Sequence, residues 1–382
     1  MLLGMSKRIL DFDYQLFRLF GHHIFDYDQQ VGEFTQQPRA HGVYDIIFSH
    51  REGIQDRFDE LKTYTKPSTH LIVDSTVESG NIDSLLDVLN HICKTESFKV
   101  TLIIDADMSD YLKNNKVSFE CIHGYEMAFF AHTNQYSDSK TTSDHGEFKY
   151  IYKYQSFNGS IRENRLLLLL EFLKRKINMG EGEYPVSFFL YSAEELNFAA
   201  DIFDNIVTTL KSNDTITDDD VNLLKAFKPN LPYLYDCSNR HEIPNKVNTK
   251  NIAVINIVTE NTHSLGTTQD VSKYITTFTE KTIKPFLSGQ IPIFIGPPNL
   301  ERELRKLGFD LFDDLIDYSF ESEKDIYTRL KLKMDEFQRI LDTDIFEYRK
   351  LNSSRFDNNK RLVSRLSNKG FDIIDKFIIN NI

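Results

Sequence analysis

The chain has 382 residues, of which 40% are apolar and 27% charged, a balance that fits a globular protein and excludes a disordered one. Its net charge of −12 argues against duplex nucleic acid as a partner, because that binding rests on Lys and Arg neutralising phosphates. Three scattered cysteines, Cys93, Cys121 and Cys237, form no CxxC pair, so neither a disulfide framework nor a zinc site follows, and a reducing, cytoplasmic setting is expected.

At about 100–200 residues per domain, the length suggests two domains. The opening MLLGMSKRILDFDYQLF has only a very short apolar run before its first acid and reads as neither a signal peptide nor an anchor. The longest apolar run, Leu166–Leu170, is far short of the ~18 residues that a membrane span needs, so no span is expected.

Tyr44–His50 (YDIIFSH), Thr69–Thr76 (THLIVDST) and Lys99–Asp107 (KVTLIIDAD) are apolar runs with polar ends, and each predicts a buried strand. Between the second and third, Leu85, Leu86, Val88, Leu89 and Ile92 recur at helical spacing. Buried strands alternating with amphipathic helices predict an α/β fold with a parallel, Rossmann-like sheet. Such sheets take ligands at the carboxyl ends of their strands. His50, Arg51, Glu52, Asp74, Glu78, Asp105 and Asp107 fall at or just after such ends.

The stretch His132–Glu147 has no apolar periodicity and is expected to be a loop that divides the chain. Beyond it, YIYKYQSF reads as a strand that breaks at Asn158-Gly159, with a helix expected from about Ser160. TTLKSNDTITDDDVNLLKAF is polar and acidic and reads as a surface insertion. Asn251–Glu260 (NIAVINIVTE) is another buried strand, followed by Asn261. Phe278–Pro298 (FTEKTIKPFLSGQIPIFIGPP) predicts a short helix opening at Glu280-Lys281, a glycine stop, an apolar strand and a double proline. From about Ser322 onward the pattern is helical with charged faces. The expected division is a Rossmann-like domain over 1–145, a second domain over 146–340, and C-terminal helices over 341–382 that can pack back on the first.

If the strands of the second half are parallel, Asn158, Arg162, Arg165, Glu260, Asn261, Glu280 and Lys281 share one sheet edge. Arginines and a lysine near helix N-termini suit a diphosphate. A carboxylate beside them suits ribose, whose hydroxyls donate to it. Each group also has a plainer reading. Glu280-Lys281 can be a solvated helix start, where a carboxylate is favoured anyway. Glu260-Asn261 can be an ordinary strand end, and one of the two arginines can be structural. No P-loop and no GxGxxG is present, which removes the support for a kinase or a dehydrogenase.

The pattern E-N-T … F-T-E-K-x7-G-x-I-P-I-x-x-G-P, from Glu260 to Pro297, resembles the α1,3-fucosyltransferase family. SFNGSIRENRLLLLLEFL (Ser156–Leu173) is similar to that family's strand–Asn–Arg–helix segment, and YDIIFSHREG (Tyr44–Gly53) and VDSTVESGN (Val73–Asn81) are shorter matches near the N-terminus. Leu304–Asp325 resembles uncharacterised viral and bacterial relatives. The resemblance implies a GT-B fold, two Rossmann-like domains facing across a cleft. The C-terminal one would hold a nucleotide sugar, a GDP-sugar by preference, and the N-terminal one a glycan or other hydroxyl acceptor. It implies inverting transfer of a sugar such as fucose, with no metal and no other cofactor. Glu280 would hold the ribose, and Lys281 with one of Arg162 and Arg165 the phosphates. Asn158, Glu260, Asn261 and His50 would complete the binding residues, and Glu78 would be the base. Two other readings stay open. Asp105-x-Asp107 after a strand is how metal-dependent GT-A transferases hold Mg²⁺ or Mn²⁺. The scaffold can also serve a non-catalytic structural or carbohydrate-binding protein.

Overall fold

The computed structural model describes residues 45–49, 70–75, 86, 89–90, 93–94, 99–104, 108–114, 116–137, 149–158, 161–179, 186–188, 196–231, 251–260 and 278–381. The chain forms two compact units, one from Met1–Ser139, Gln269–Thr279 and Ser364–Ile382, the other from Lys140–Thr268 and Glu280–Val363.

The first unit contains β1 (Asp45–Ser49), β2 (His70–Ser75), β3 (Lys99–Ile104) and β4 (Glu120–His123). They pair in parallel in the order β1-β2-β3-β4. A parallel sheet is covered on both faces, so its strands read as continuous apolar runs. Accordingly Leu102, Ile103 and Ile104 are fully buried. Between β2 and β3 the described residues Leu86 and Leu89 are helical and buried, as their spacing predicts. Helix α1 (Ser109–Asn114) follows β3, and α2 (Tyr125–Ser137) follows β4. Helix α2 extends into the expected linker, so residues 132–137 are helical rather than loop. Tyr125 and Met127–Phe130 are buried and anchor its first turns. Once a turn exists, each further polar residue adds a backbone bond at little cost.

The second unit contains β5 (Lys149–Asn158), β6 (Val186–Phe188), β7 (Asn251–Thr259) and β8 (Ile291–Ile295), parallel in the order β6-β5-β7-β8. Helix α3 (Glu163–Lys174) follows β5 and is buried from Asn164 to Phe172. A helix apolar on all sides belongs inside, and this is the role of the Leu166–Leu170 run. Its start lies at Glu163, with Arg162 extended at the N-cap.

The acidic stretch Thr208–Phe227 runs through the end of α4 (Leu196–Ser212) and all of α5 (Asp218–Phe227), with most of its polar residues exposed, as a surface segment should be. Phe203, Val207, Leu210, Ile216 and Leu224 enter the core of this unit. Thr217 caps α5 in a capping box: its hydroxyl accepts from Asp220 N at 3.2 Å, and the Asp220 carboxylate accepts from Thr217 N at 3.0 Å. The three aspartates at 218–220 therefore stand at a helix N-terminus, where negative charge is favoured.

Then come α6 (Glu280–Leu287), α7 (Leu300–Leu307), α8 (Ile326–Leu341), α9 (Ile345–Leu351) and α10 (Ser353–Asn381). The chain turns out of α6 at Gly289, whose φ of +61° suits glycine. Within the first unit, Phe278 packs against Tyr125 and Phe129, with ring centroids 4.5 and 5.9 Å away. Gly370, in the α10 residues of that unit, meets α2 so closely that a Cβ would lie 2.4 Å from the Glu126 carbonyl oxygen.

The α/β class, with two parallel Rossmann-like sheets, is as the alternating pattern predicts. No described helix is long and apolar enough to cross a membrane.

Candidate functional site

The order β6-β5-β7-β8 has a reversal in it. From β5 the chain moves to one side, to β6, and then crosses to the other side of β5 for β7. In open parallel sheets, ligands bind outside the carboxyl ends of the two strands that flank such a reversal. Here those strands are β5 and β7, and their ends are Asn158 and Thr259-Glu260.

The recorded β5–β7 register runs from Lys149 to Gln155. Beyond it, side-chain bonds tie the two strands. Ser156 Oγ donates to Ile257 O at 3.2 Å, and Thr259 Oγ1 donates to Asn158 Oδ1 at 2.7 Å. Asn158 Nδ2 donates in turn to Ser156 Oγ at 3.0 Å and to Ser187 O on β6 at 3.3 Å. From the first turn of α3, Arg165 Nε donates to Thr259 Oγ1 at 3.1 Å. Asn158, Thr259 and Arg165 are all at most 3% exposed, so this is a buried relay from β5 through β7 to α3. It holds one nitrogen of a buried guanidinium, which fixes where the rest of the fork lies.

Next to it is Glu260, a carboxylate only 1% exposed. A buried charge needs hydrogen bonds. Thr282 Oγ1, in the first turn of α6, donates to Glu260 Oε1. The Glu260 backbone N–H donates to Ile295 O at 2.9 Å, and its carbonyl accepts from Asn164 Nδ2 at 2.8 Å. Gly296, just past β8, permits this approach: a Cβ there would be 3.1 Å from Glu260 Cβ. The end of β7 is thus joined to the starts of both α3 and α6.

Glu280 and Lys281 open α6 and pair at 2.9 Å, both partly exposed. Lys284, one turn on, is deeper. Burial pulls its ammonium below the ordinary lysine value. The Glu280 carboxylate opposes that shift, Lys281 adds to it, and Glu260 opposes it. Glu163, at the start of α3, is half-buried, and burial raises its carboxyl. Arg162 stands beside it at the N-cap with no capping bond from its side chain.

Of the residues expected to meet at this edge, Asn158 and Arg165 are joined through Thr259. Glu260, next in the chain, bonds to Asn164 of α3 and Thr282 of α6. Glu280-Lys281 open α6, and Arg162 stands at the α3 N-cap outside this network. Asn261, His50, Glu78, Asp105 and Asp107 lie outside the described residues. The sequence reading missed Thr259, Asn164, Thr282 and Lys284. In the first unit, at the carboxyl end of β4, His123 Nδ1 accepts from Met108 N at 3.3 Å.

Fold and site define an α/β protein with a largely buried polar cluster at a topological switch point, built from amides and hydroxyls, a guanidinium, carboxylates and lysines. No protein-family model matches the chain. No curated protein matches it. Among solved structures it is similar to the α,α-trehalose-6-phosphate synthase of Burkholderia multivorans, at 10% identity over 88% of this chain and 69% of that one, with a TM-score of 0.41. It is also similar to a UDP-forming α,α-trehalose-phosphate synthase of Burkholderia vietnamiensis, at 11% identity over 88% and 72%, with a TM-score of 0.42. Neither likeness assigns a substrate to this chain.

Proposed function

We propose that the protein is an inverting glycosyltransferase that moves a sugar from a nucleotide-diphosphate donor to an acceptor hydroxyl. The observation that carries this reading is the joining of a buried arginine, a buried carboxylate and the Glu280-Lys281-Lys284 helix start at the β5/β7 switch point. A diphosphate needs cations and helix N-termini, and a ribose needs hydrogen-bond acceptors. Both kinds of group occur here within two adjacent helix starts.

In this proposal Arg165 and Lys281 bind the diphosphate and Glu280 the ribose. Arg165 is favoured over Arg162 because Thr259 fixes its orientation. Lys284 adds a third cation. The donor is a GDP-sugar, with fucose as the sugar, and the acceptor is a glycan or other hydroxyl held by the first unit in a GT-B arrangement. Glu78 takes the acceptor's proton. The freed oxygen bonds to the anomeric carbon from the side opposite the diphosphate. The bond to the diphosphate breaks, and its electron pair leaves with the nucleoside diphosphate, whose charge the cations stabilise.

The test is a melting series with GDP, UDP, ADP and CMP. A ligand that binds only the folded protein adds about 2.7 kcal/mol of stability at a hundred times its dissociation constant. GDP is expected to raise the melting temperature most, and GDP-fucose to support transfer that persists in EDTA. If none of the four nucleotides shifts the transition, the reading is wrong.

A further inference from the structure

Asn164 is the second residue of α3, at the β5/β7 switch point, and only 2% of it is exposed. Its Nδ2 donates to Glu260 O at 2.8 Å. That bond fixes the amide: turning it over would set Oδ1 against another carbonyl oxygen. Oδ1 itself is buried and meets no donor among the described residues. Around it every other buried polar side chain of the cluster is bonded: Asn158, Thr259, Arg165, Thr282 and Glu260. Leaving a buried acceptor unmade costs about 1–3 kcal/mol. Such an exception inside an otherwise satisfied network requires a partner that arrives from elsewhere.

We infer that Asn164 Oδ1 accepts a hydrogen from the nucleoside part of the bound donor. An amide oxygen can only accept. A phosphate oxygen ionised at neutral pH has no hydrogen to give, so the diphosphate cannot satisfy it. A ribose hydroxyl or a base N–H can. The first turn of α3 then divides its work: Arg165 answers the phosphates, and Asn164 the nucleoside. This inference rests on the nucleotide-sugar reading and adds a residue and a chemical class to it.

Titration calorimetry on the full chain decides the matter, with GDP, UDP and inorganic pyrophosphate as probes. Asn164→Leu removes the acceptor at similar volume. The expected result is about a tenfold loss of affinity for the nucleoside diphosphate that the parent binds, which corresponds to about 1.4 kcal/mol, with pyrophosphate affinity unchanged. The 2′-deoxy and 3′-deoxy forms of that nucleotide identify the hydrogen. A hydroxyl is the source if one deoxy form binds parent and variant alike, and the base is the source if both forms keep the tenfold difference. If nucleotide and pyrophosphate weaken together, or neither weakens, Asn164 has no role toward the nucleoside. If Asn164→Leu does not fold, Asn164→Ala carries the same comparison. A parent that binds neither GDP nor UDP instead overturns the nucleotide-sugar reading, and this inference with it.

Discussion

The hydroxyl of Thr259 donates to Oδ1 of Asn158 at 2.7 Å, and so ties the ends of β7 and β5 together where the strand order reverses. The same oxygen receives Arg165 Nε at 3.1 Å. Thr259→Val keeps shape and volume but removes both bonds. It leaves a buried amide oxygen and a buried guanidinium nitrogen without this partner, at a cost of about 1–3 kcal/mol in stability. Arg165 also loses its support. The expected kinetic effect is a rise in the donor KM with a smaller change in kcat, and Thr259→Ser should restore both. Equal loss in the Ser and Val variants would show that packing, not the hydroxyl, matters at this position.

Much of this fold is legible in the sequence because buried parallel strands are nearly unbroken apolar runs. NIAVINIVTE and IPIFI could be little else. The site is legible where charge marks it, at Arg165, Glu260, Glu280 and Lys281, and at Asn158, where the strand breaks before Gly159. Thr259 reads as one more β-branched strand residue, and Thr282 as a neutral helix position. Lys284 reads as a solvated helix lysine, and only its surroundings in the fold desolvate it enough to lower its pKa. Asn164 looks like a residue chosen for a helix start. The acidic run at 218–220 shows charge rather than helix, yet Thr217-x-x-Asp220 ahead of Val221 and Leu224 carries the capping-box signal.

Glu280 and Lys281 pair at 2.9 Å and are both partly exposed, so their attraction contributes little to the fold. Exposed pairs are worth ~0–1 kcal/mol, and neither Glu280→Ala nor Lys281→Ala should move the melting temperature much. A hydrogen bond to a charged ligand group is worth about 1.5–3 kcal/mol. Each variant should therefore bind the nucleotide sugar roughly ten- to a hundredfold more weakly. Calorimetry with parent-like affinity in both would leave the pair as a solvated helix start.

A side chain at Gly296 would be crowded. A Cβ would lie 3.1 Å from Glu260 Cβ and 3.4 Å from both Glu260 Cγ and Leu300 Cδ2. Gly296→Ala should cost about 1–3 kcal/mol, as overpacking does. It should also push the Glu260 carboxylate against its Thr282 partner. Nucleotide affinity is then expected to fall more than in a control of similar stability cost remote from the site. A denaturant midpoint equal to that of the parent would refute the crowding.

Acid sensitivity should centre on Asp310. The Arg355 guanidinium grips its carboxylate at 2.6 and 2.8 Å and holds it below the usual carboxylate range; burial works against this, and the Phe312 N–H supports it. With the folded-state value depressed, the unfolded chain binds the proton more readily, so stability rises with pH between the two values. The contribution is complete above the unfolded value of about 4 and is lost as pH falls through the folded one. Asp310→Asn should cost about 1 kcal/mol at pH 7, toward the upper end for a half-exposed pair. It should also flatten the melting profile below about pH 4. An unchanged acid limb would mean that other carboxylates govern it.

Lys333 and Glu301 form an ion pair in which both side chains are at most 4% exposed, and it locks α8 onto α7. Lys333 Nζ also donates to Phe294 O at 2.6 Å, which adds β8 to the joint. Burial lowers the pKa of this lysine, and Glu301 opposes that. Attraction inside a protein is strong, but so is the cost of taking two charges out of water, and the pair as a whole gains little. Removing one partner is different, because it strands the other. Lys333→Met should destabilise the protein by about 3–5 kcal/mol. Adding Glu301→Leu should recover most of that loss, since the stranded carboxylate disappears. The double variant should bind the nucleotide as the parent does, because the two charges satisfy each other within the protein. Denaturant melts of both variants test the coupling. A double variant as unstable as the single one would show that the Phe294 carbonyl, left without its donor, is the larger part of what Lys333 supports.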